Sequence, residues 1–353
     1  MNGTKAENTH EGSKKRVWVI TGTSSGLGRS LIQVALARGD YVIATVRSVD
    51  SVCDLADNLE TTSRIHVLKL DITAPFSEIR AAAEEVISKW GRVDVLVNNA
   101  GAGFLGITEE VGVEGYQKQF AVNFFGPLNV TNAFLPYMRA QREGTIVFVG
   151  SRSSWRTHIP MMGTYAASKA ALTAAAESLA VEVATLNIKV LNVLPGSMQT
   201  CSWSKMTLLP MSPNALLPLT PNQANQGNYE GRNFKGDPET PKMNGIAREH
   251  IERHIEDYSE LREHQIKWMR SAVCDGDPEK CAQAIYNIVA GNAEQPNKTS
   301  DVMERKGPGR NWPEGNLLVL GSDAETNIRD KCDAVLRNLD IWKDVARGVA
   351  ADR

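Results

Sequence analysis

The sequence has few cysteines, little net charge and no long hydrophobic run. Its five cysteines are widely spaced and contain no C-x-x-C pair, which argues against a metal site and against a disulfide framework. A formal net charge of −2 over 353 residues gives no indication of binding to nucleic acid or to an anionic membrane. No apolar run approaches the roughly 20 residues that cross a bilayer. We therefore expect free thiols, no metal, no nucleic-acid or membrane partner, and a cytoplasmic protein.

The ends of the chain and one internal stretch differ from an ordinary globular composition. Residues 1–15 are polar and lack the apolar core of a secretion signal, which predicts a disordered tail. Residues 203–245 are rich in Pro, Asn, Gly and Thr, and long loops of this kind are functional lids or disordered. We expect one domain over 16–337, with an insertion or substrate lid at 203–272, and a C-terminal extension at 338–353.

Short apolar runs alternate with amphipathic segments along the chain. Strands are predicted at 17–20, 41–46, 65–70, 93–97, 145–149, 189–194 and 316–320, and helices near 29–38, 77–90, 115–141 and 165–186. Because this alternation is typical of parallel strands joined by right-handed crossovers, we predict an α/β fold with a seven-stranded parallel sheet and helices on both faces. In such sheets the ligand binds beyond the carboxyl ends of the strands.

A glycine-rich turn, T-G-T-S-S-G-L-G over Thr21–Gly28, separates the first predicted strand from the first helix. Glycines allow backbone N–H groups to approach a pyrophosphate, and the N-terminus of the following helix favours negative charge. The turn therefore predicts a nucleotide-binding site formed by Gly22, Thr23, Ser24, Ser25, Gly26, Leu27 and Gly28.

Tyr165 and Lys169 lie four residues apart in a predicted helix, so they share one helix face. A phenol normally titrates near ~10 and is a poor acid or base at neutral pH. A positive charge close to it favours the phenolate and brings its pKa toward the working range. The pair is therefore a candidate acid–base unit.

Three further motifs occur in order along the chain: Asn98-Asn99-Ala100-Gly101 after the fourth strand, Asn123 in the central helix, and Pro195-Gly196 after the sixth strand. With the glycine turn and the Tyr165–Lys169 pair, they make the chain resemble the short-chain dehydrogenase/reductase family, in its compact single-domain branch with a doubly wound, Rossmann-type sheet. The resemblance is close over residues 15–200 and loose over 275–335. The C-terminal part is loosely similar to retinol and steroid dehydrogenases.

The resemblance implies roles for the catalytic residues. Tyr165 would donate or accept the proton, and Lys169 would lower the pKa of Tyr165 and bind the ribose of the cofactor. Asn123 would connect Lys169 to solvent through a water; from the residues alone, it could equally be a polar kink in a long helix.

A catalytic serine is also implied, at Ser151 or at Ser153. Ser151 aligns with the end of the family's fifth strand. Relatives commonly place this serine thirteen residues before the tyrosine, where this chain has Arg152. We favour Ser151, because a one-residue insertion between Ser153 and Pro160 would explain the offset.

The end of the second predicted strand indicates which nicotinamide cofactor is bound. NAD enzymes place an acid there for the ribose 2′-hydroxyl, whereas an arginine accommodates the 2′-phosphate of NADP. Arg47 and Ser48 follow this strand, and no acid occurs before Asp50, which favours NADP. The resemblance adds Asp71, Asn99, Ala100, Gly101, Tyr165, Lys169, Pro195, Gly196 and Thr200 as cofactor-binding residues. For Asp71, helix capping is an equally fair interpretation.

The insertion indicates the kind of substrate. Its apolar residues, with Trp155 and Trp203 near the expected pocket, could line a site for a bulky, fairly apolar compound or could anchor the insertion to the domain. His250 and His254 lie in a predicted charged helix over 246–270. The order of residues in H-E-x-x-H is not met there, so we expect a solvated helix face without metal.

Together these features predict an NADP(H)-dependent oxidoreductase that transfers a hydride between nicotinamide and a ketone or secondary alcohol. The partner is a small carbonyl or alcohol substrate, and a homodimer or homotetramer is expected from the resemblance. Two alternatives are a non-catalytic nucleotide sensor or scaffold, and a lyase or epimerase that uses the same tyrosine. The intact Tyr165–Lys169 pair argues against the first, and the glycine spacing argues against the second.

Overall fold

The computed structural model describes residues 15–55, 63–200, 206–208, 256–272, 274–292 and 312–348. Most of the predicted lid, with His250, His254 and Trp203, lies outside these ranges. Among the described cysteines, Cys274, Cys281 and Cys332 are free thiols. No helix in the described ranges is long and apolar enough to cross a membrane.

Seven parallel strands form the central sheet, in the spatial order β3-β2-β1-β4-β6-β7-β9. They are β1 (Val17–Thr21), β2 (Tyr41–Val46), β3 (Ile65–Lys69), β4 (Val95–Asn98), β6 (Gly144–Val149), β7 (Ile188–Pro195) and β9 (Leu317–Leu320). Two short strands, β5 (Phe104–Leu105) and β8 (Thr207–Leu208), pair separately. The predicted doubly wound seven-stranded sheet is confirmed. The small β5–β8 pair was not predicted, because two-residue strands leave no periodicity in a sequence.

The described helices cover both faces of the sheet. They are α1 (Gly26–Ala37), α2 (Phe76–Trp90), α3 (Thr108–Phe120), α4 (Gly126–Gln141), α5 (Gly163–Glu182), α6 (Ser259–Ser271), α7 (Pro278–Ala290), α8 (Ser322–Ile341) and α9 (Lys343–Arg347). Helices α2, α4 and α5 contribute to the core on one face, and α1 and α7 to the core on the other. The proposed domain boundary at residue 337 falls inside α8.

Alternation along β1 shows how the sequence fills both cores. Val17 and Val19 point to the α2, α4 and α5 side, whereas Trp18 and Ile20 point to the α1 and α7 side. Successive side chains of a strand face opposite sides, so a strand that is covered on both faces must be apolar throughout. All five residues of β1 are buried.

The predicted helix over 115–141 is wrong in its continuity. A first turn from Thr108 is interrupted at Gly112, which has φ of 57° and ψ of −173°, and Ala121–Phe125 form a π-helical segment before α4. Gly126 and Pro127 follow at the start of α4, where a proline lacks the N–H group that would continue the regular hydrogen-bond ladder. The kink places Asn123 toward the candidate site described below.

Asp40 anchors three elements on the α1 and α7 side of the sheet. Its buried carboxylate accepts hydrogen bonds from the Arg16 backbone N–H, from Trp18 Nε1 and from the Tyr286 hydroxyl, each at 2.9 Å. Burial and the Asp40 charge raise the pKa of Tyr286 to about 12. The carboxylate thus joins β1 and α7 across the turn before β2.

We expect Asp40→Ala to lower the free energy of unfolding by about 2–4 kcal/mol, because it leaves the buried Trp18 and Tyr286 donors without their acceptor. Urea unfolding followed by circular dichroism measures the change. Tyr286→Phe removes one of the three bonds together with its donor and should cost only about 1 kcal/mol. Equal costs for the two variants would show that Asp40 is not the anchor.

Candidate active site

The glycine turn lies at the carboxyl end of β1, where α1 begins. Gly22 has φ of 68° and Gly26 has φ of 58°, in the left-handed region that disfavours other residues. A Cβ at Gly22 would lie 2.7 Å from Ala100 Cα, and one at Gly28 would lie 2.5 Å from both Asn99 Nδ2 and the Gly22 carbonyl oxygen. Side chains are excluded at Gly22 and Gly28 by Asn99, Ala100 and the backbone of the turn, so these glycines allow the turn to pack closely against the N-N-A-G motif.

Asn99 holds the turn in place. Its Nδ2 donates to the carbonyl oxygens of Thr21 at 2.9 Å and of Gly22 at 3.0 Å. The Thr21 hydroxyl oxygen accepts from the backbone N–H groups of Asn99 and Ala100, both at 3.0 Å. Asn99 and Ala100 of the N-N-A-G motif therefore hold Thr21 and Gly22, the first two residues of the glycine turn.

Two residues of the predicted turn direct their side chains into the protein. The Thr23 hydroxyl donates to the Thr45 carbonyl at 3.0 Å, and Leu27 packs in the core. Ser24 is exposed and Ser25 is half-buried. Thr200 lies beside the turn, since a Cβ at Gly26 would be 3.2 Å from its Cγ2.

Arg47, Ser48 and Asp71 lie past the ends of β2 and β3, at the same edge of the sheet. Arg47 is exposed and Ser48 half-buried. Asp71 Oδ1 accepts from the Thr73 N–H at 2.8 Å and from its hydroxyl at 2.7 Å. Helix α2 begins only after Pro75, so Asp71 stabilises a local turn, and the helix-capping alternative is wrong.

Ser151 and Tyr165 are brought together just beyond β6. Ser151 caps the short 3₁₀ helix Arg152–Ser154, where its Oγ accepts from the Ser153 N–H at 3.1 Å. Its hydroxyl is also close enough to the Tyr165 phenol to lower the pKa of the phenol. Burial raises the pKa of Tyr165, while the Ser151 hydroxyl and the Arg152 charge lower it. Ser153 meets Ser151 through its backbone, so the geometry favours Ser151 as the partner of the tyrosine.

Lys169 is buried one turn along α5 from Tyr165. Its Nζ donates to the Val149 carbonyl at 2.7 Å, and burial lowers its pKa to about 8. A Cβ at Gly101 would lie 3.6 Å from Nζ, which places the end of the N-N-A-G motif against the lysine.

Asn123 connects three parts of the site. Its Oδ1 accepts from the Ala102 N–H at 2.9 Å, and its Nδ2 donates to the Ala102 carbonyl at 2.9 Å and to Ser168 Oγ at 3.2 Å. The π-helical segment is thereby fixed to the loop after β4 and to α5. Asn123 is a buried, fully engaged residue of the kink, and its water link to Lys169 stays a prediction.

Residues 16–208 match the family model of the short chain dehydrogenase, which is more than half of the chain. The chain belongs to the short-chain dehydrogenase family. Proteins of this family are oxidoreductases that bind a nicotinamide cofactor.

Two curated relatives are similar over the same part of the chain. A 3-ketodihydrosphingosine reductase of Bacteroides thetaiotaomicron is 38% identical over 185 residues, which are 52% of this chain and 65% of that protein. Dehydrogenase/reductase SDR family member 7B of Mus musculus is 35% identical over 192 residues, which are 53% of this chain and 59% of that protein. The matched part therefore spans less than two thirds of either relative.

A solved short-chain dehydrogenase from Streptomyces avermitilis has the same architecture. It superposes with a TM-score of 0.70 at 29% identity, over 96% of this chain and 100% of that chain. The structural likeness thus extends well beyond the segment that the family model matches.

In this short-chain dehydrogenase, an ion pair that the sequence analysis missed lies beside the tyrosine. Arg152 Nη1 contacts Asp323 Oδ2 at 2.6 Å and donates to Asn327 Oδ1 at 3.2 Å, while Nη2 donates to Ser197 Oγ at 2.6 Å. Asp323 Oδ2 also accepts from the Ser197 N–H at 2.9 Å. A Cβ at Gly196 would lie 1.8 Å from Asp323 Oδ1, so this carboxylate explains the glycine of the Pro195-Gly196 motif.

Tyr165 also borders an apolar cluster made largely of methionines. Its buried members are Leu105, Ile107, Met161, Met162, Met206 and Met269. Ile159, Leu208 and Trp268 pack against it at the edge. Met206 and Leu208 belong to the apolar insertion residues that the sequence indicated, and the other insertion residues lie outside the described ranges. Within the described chain, no group of three or more His, Cys, Asp or Glu could hold a metal ion.

Proposed function

We propose that the chain is an NADP(H)-dependent oxidoreductase that transfers a hydride between nicotinamide and the ketone or secondary alcohol of a bulky, fairly apolar small molecule. The observation that carries the proposal is that Ser151 and Tyr165 lie together at the carboxyl edge of the sheet, where the Ser151 hydroxyl lowers the pKa of Tyr165 and Tyr165 borders the methionine-rich cluster. No observation favours the sensor, scaffold, lyase or epimerase alternatives.

The residues of the site fit a nicotinamide dinucleotide. Gly22 and Gly26, both in the left-handed region, shape the turn between β1 and the N-terminus of α1, as a pyrophosphate-binding turn at a helix N-terminus requires. Gly101, Lys169 and Thr200 lie around the same edge and would complete the binding site. When bound, the cofactor supplies or accepts the hydride.

The protein's own groups handle the oxygen and the proton. Ser151 would donate a hydrogen bond to the carbonyl oxygen, on which negative charge develops during reduction. Tyr165 would give its phenolic proton to that oxygen, and would take it back in alcohol oxidation. Lys169 would hold the ribose hydroxyls, and the positive charge of Arg152 would stabilise the phenolate that remains.

Arg47 supports the preference for NADP, because its exposed guanidinium follows β2 and can pair with a 2′-phosphate. We expect NADPH to bind at least about tenfold tighter than NADH, a difference of ~1.4 kcal/mol. Arg47→Ala should remove this preference by weakening NADPH alone. Fluorescence titration of the purified chain with each nucleotide measures both constants.

Arg80→Ala is the matched control, because it removes another exposed arginine, on α2 and away from the glycine turn. It should leave both nucleotide affinities unchanged. Equal binding of NADH and NADPH would show that the NADP assignment is wrong, and binding of neither would remove the reductase proposal itself.

The substrate proposal rests on the methionine-rich cluster beside Tyr165. Methionine side chains adapt to irregular apolar shapes, which suits a bulky ketone better than a small polar one. A panel of ketones of increasing apolar size, with loss of NADPH absorbance as readout, tests this. Faster turnover of the smallest, most polar ketones would contradict it.

We also propose a cytoplasmic homo-oligomer. Exposed apolar side chains lie near the kink and on α5, with Phe125 54% and Val181 78% exposed. Association of two subunits would bury such residues. Light scattering of the purified chain gives the subunit number.

A further inference from the structure

Arg156 lies at the border of the candidate active site, between the 3₁₀ helix that carries Ser151 and the start of α5. Its guanidinium carbon is 5.3 Å from the centre of the Trp268 ring, in a cation–π contact with α6. Trp268 packs against the methionine-rich cluster, and Tyr165 packs against the same cluster. Arg156 is therefore held next to the region where the substrate is proposed to bind.

The charge around Arg156 is not balanced. The side chain is half-buried, and among the described residues it has no ion pair. Burial and the neighbouring Arg152 charge lower its pKa, and the Asp323 charge acts in the opposite direction. Asp323 is already paired with Arg152 at 2.6 Å. Arg152 thus takes the carboxylate of Asp323, and Arg156 is left without an ion pair among the described residues.

A partly desolvated guanidinium needs hydrogen-bond acceptors. The Trp268 ring is a cation–π partner for the guanidinium, but it offers no acceptor to the five N–H donors. The planar fork of arginine fits a carboxylate in a bidentate manner, and stacking on an aromatic ring holds that fork in one plane. Arg156 is thus a cation held in a fixed orientation, and none of the described residues pairs an anion with it.

We propose that Arg156, held against Trp268, binds a carboxylate at one end of the substrate, so that the substrate is a ketone with an apolar body and a terminal carboxylate. The methionine-rich cluster would contact the apolar body, and Ser151 and Tyr165 the carbonyl oxygen. This inference rests on the proposed ketone reduction, and it deepens that proposal by naming the substrate class.

The test compares two forms of one ketone, benzoylpropionate and its methyl ester, with the purified full-length chain and NADPH. The wild type should reduce the acid with a kcat/KM at least tenfold above that of the ester. Arg156→Gln should lower kcat/KM for the acid at least tenfold and change that for the ester less than twofold. Arg156→Lys keeps the charge without the fork and should retain part of the preference.

Lys189→Gln is the matched control. Lys189 lies over the Trp312 ring at 5.1 Å, so this variant removes a cation–π contact elsewhere in the fold. It should change neither kcat/KM value. A loss of activity for acid and ester alike in Arg156→Gln and Arg156→Lys would assign Arg156 to packing and overturn the inference.

The inference and the proposed function can fail separately. Reduction of acid and ester at equal rates by the wild type would overturn the anion site and leave the ketone reductase intact. If neither compound is reduced, calorimetric titration with benzoylpropionate decides. Binding at least tenfold weaker to Arg156→Gln than to wild type would support the anion site, and equal or absent binding would overturn it.

Discussion

Replacing Tyr165 with Phe is expected to lower kcat for ketone reduction by about a hundred- to ten-thousand-fold, the range for loss of a positioned general acid. Burial raises the pKa of the phenol, which keeps the proton on the donor at neutral pH. Arg152 and Ser151 lower the pKa and so ease release of the proton to the carbonyl oxygen. Loss of NADPH absorbance under saturating ketone measures the effect.

The Tyr165→Phe variant should still bind the nucleotide, because the phenylalanine ring preserves the packing against the methionine-rich cluster. Tyr137→Phe on α4 is the control, since it removes a half-buried hydroxyl remote from the site. Activity of Tyr165→Phe within tenfold of the wild type would mean that another group donates the proton.

Features that depend on neighbours in sequence were predicted from the residues. The seven strands are apolar runs, and the glycine turn, the Asn99 motif and the Tyr165–Lys169 spacing are each local patterns. Parallel strands then place their carboxyl ends at one edge, so motifs far apart in the chain meet there without any further information.

Features that depend on tertiary contacts were not predicted. Arg152 and Asp323 are distant in sequence, and no periodicity marks an ion pair between a strand end and the start of α8. The same holds for Arg156 and Trp268, whose contact requires α6 to pack over the loop before α5. Charged residues in loops occur at most surfaces, so their sequence context alone does not distinguish a network from solvated side chains.

The Tyr165–Lys169 spacing predicts that Lys169 lowers the pKa of the tyrosine, but in the structure a different charge has that effect. Arg152 lowers the pKa of Tyr165, while Lys169 donates to the Val149 carbonyl. The ion pair with Asp323 holds the Arg152 guanidinium in position. Because charges that are fixed by partners act at a constant distance, this arrangement tunes the phenol without movement of a flexible side chain.

Lys169→Met is expected to abolish a pH dependence of stability that the wild type shows in alkaline solution. The folded pKa of Lys169 is about 8, against an ordinary value of 10.5. Between these values the unfolded chain binds a proton that the folded chain does not, so the free energy of unfolding rises with pH. The rise is about 1.4 kcal/mol per pH unit and about 3 kcal/mol in total. Urea unfolding of both proteins between about pH 7 and pH 10 gives the difference curve.

Below its folded pKa, Lys169 is charged in both states and carries the full cost of burial. Lys169→Met removes that cost but also loses the bond to the Val149 carbonyl, worth about 1 kcal/mol. The variant should therefore be more stable than the wild type by about 1–2 kcal/mol near neutral pH, a gain that shrinks and reverses as pH rises.

Lys118→Met, which removes an exposed lysine of α3, controls for the loss of a lysine charge. If Lys169→Met is more stable than the wild type but binds NADPH weakly, Lys169 serves cofactor binding at a cost in folding stability. Such a cost is common at functional sites. A difference curve that is flat with pH would instead show that Lys169 keeps an ordinary pKa despite its burial.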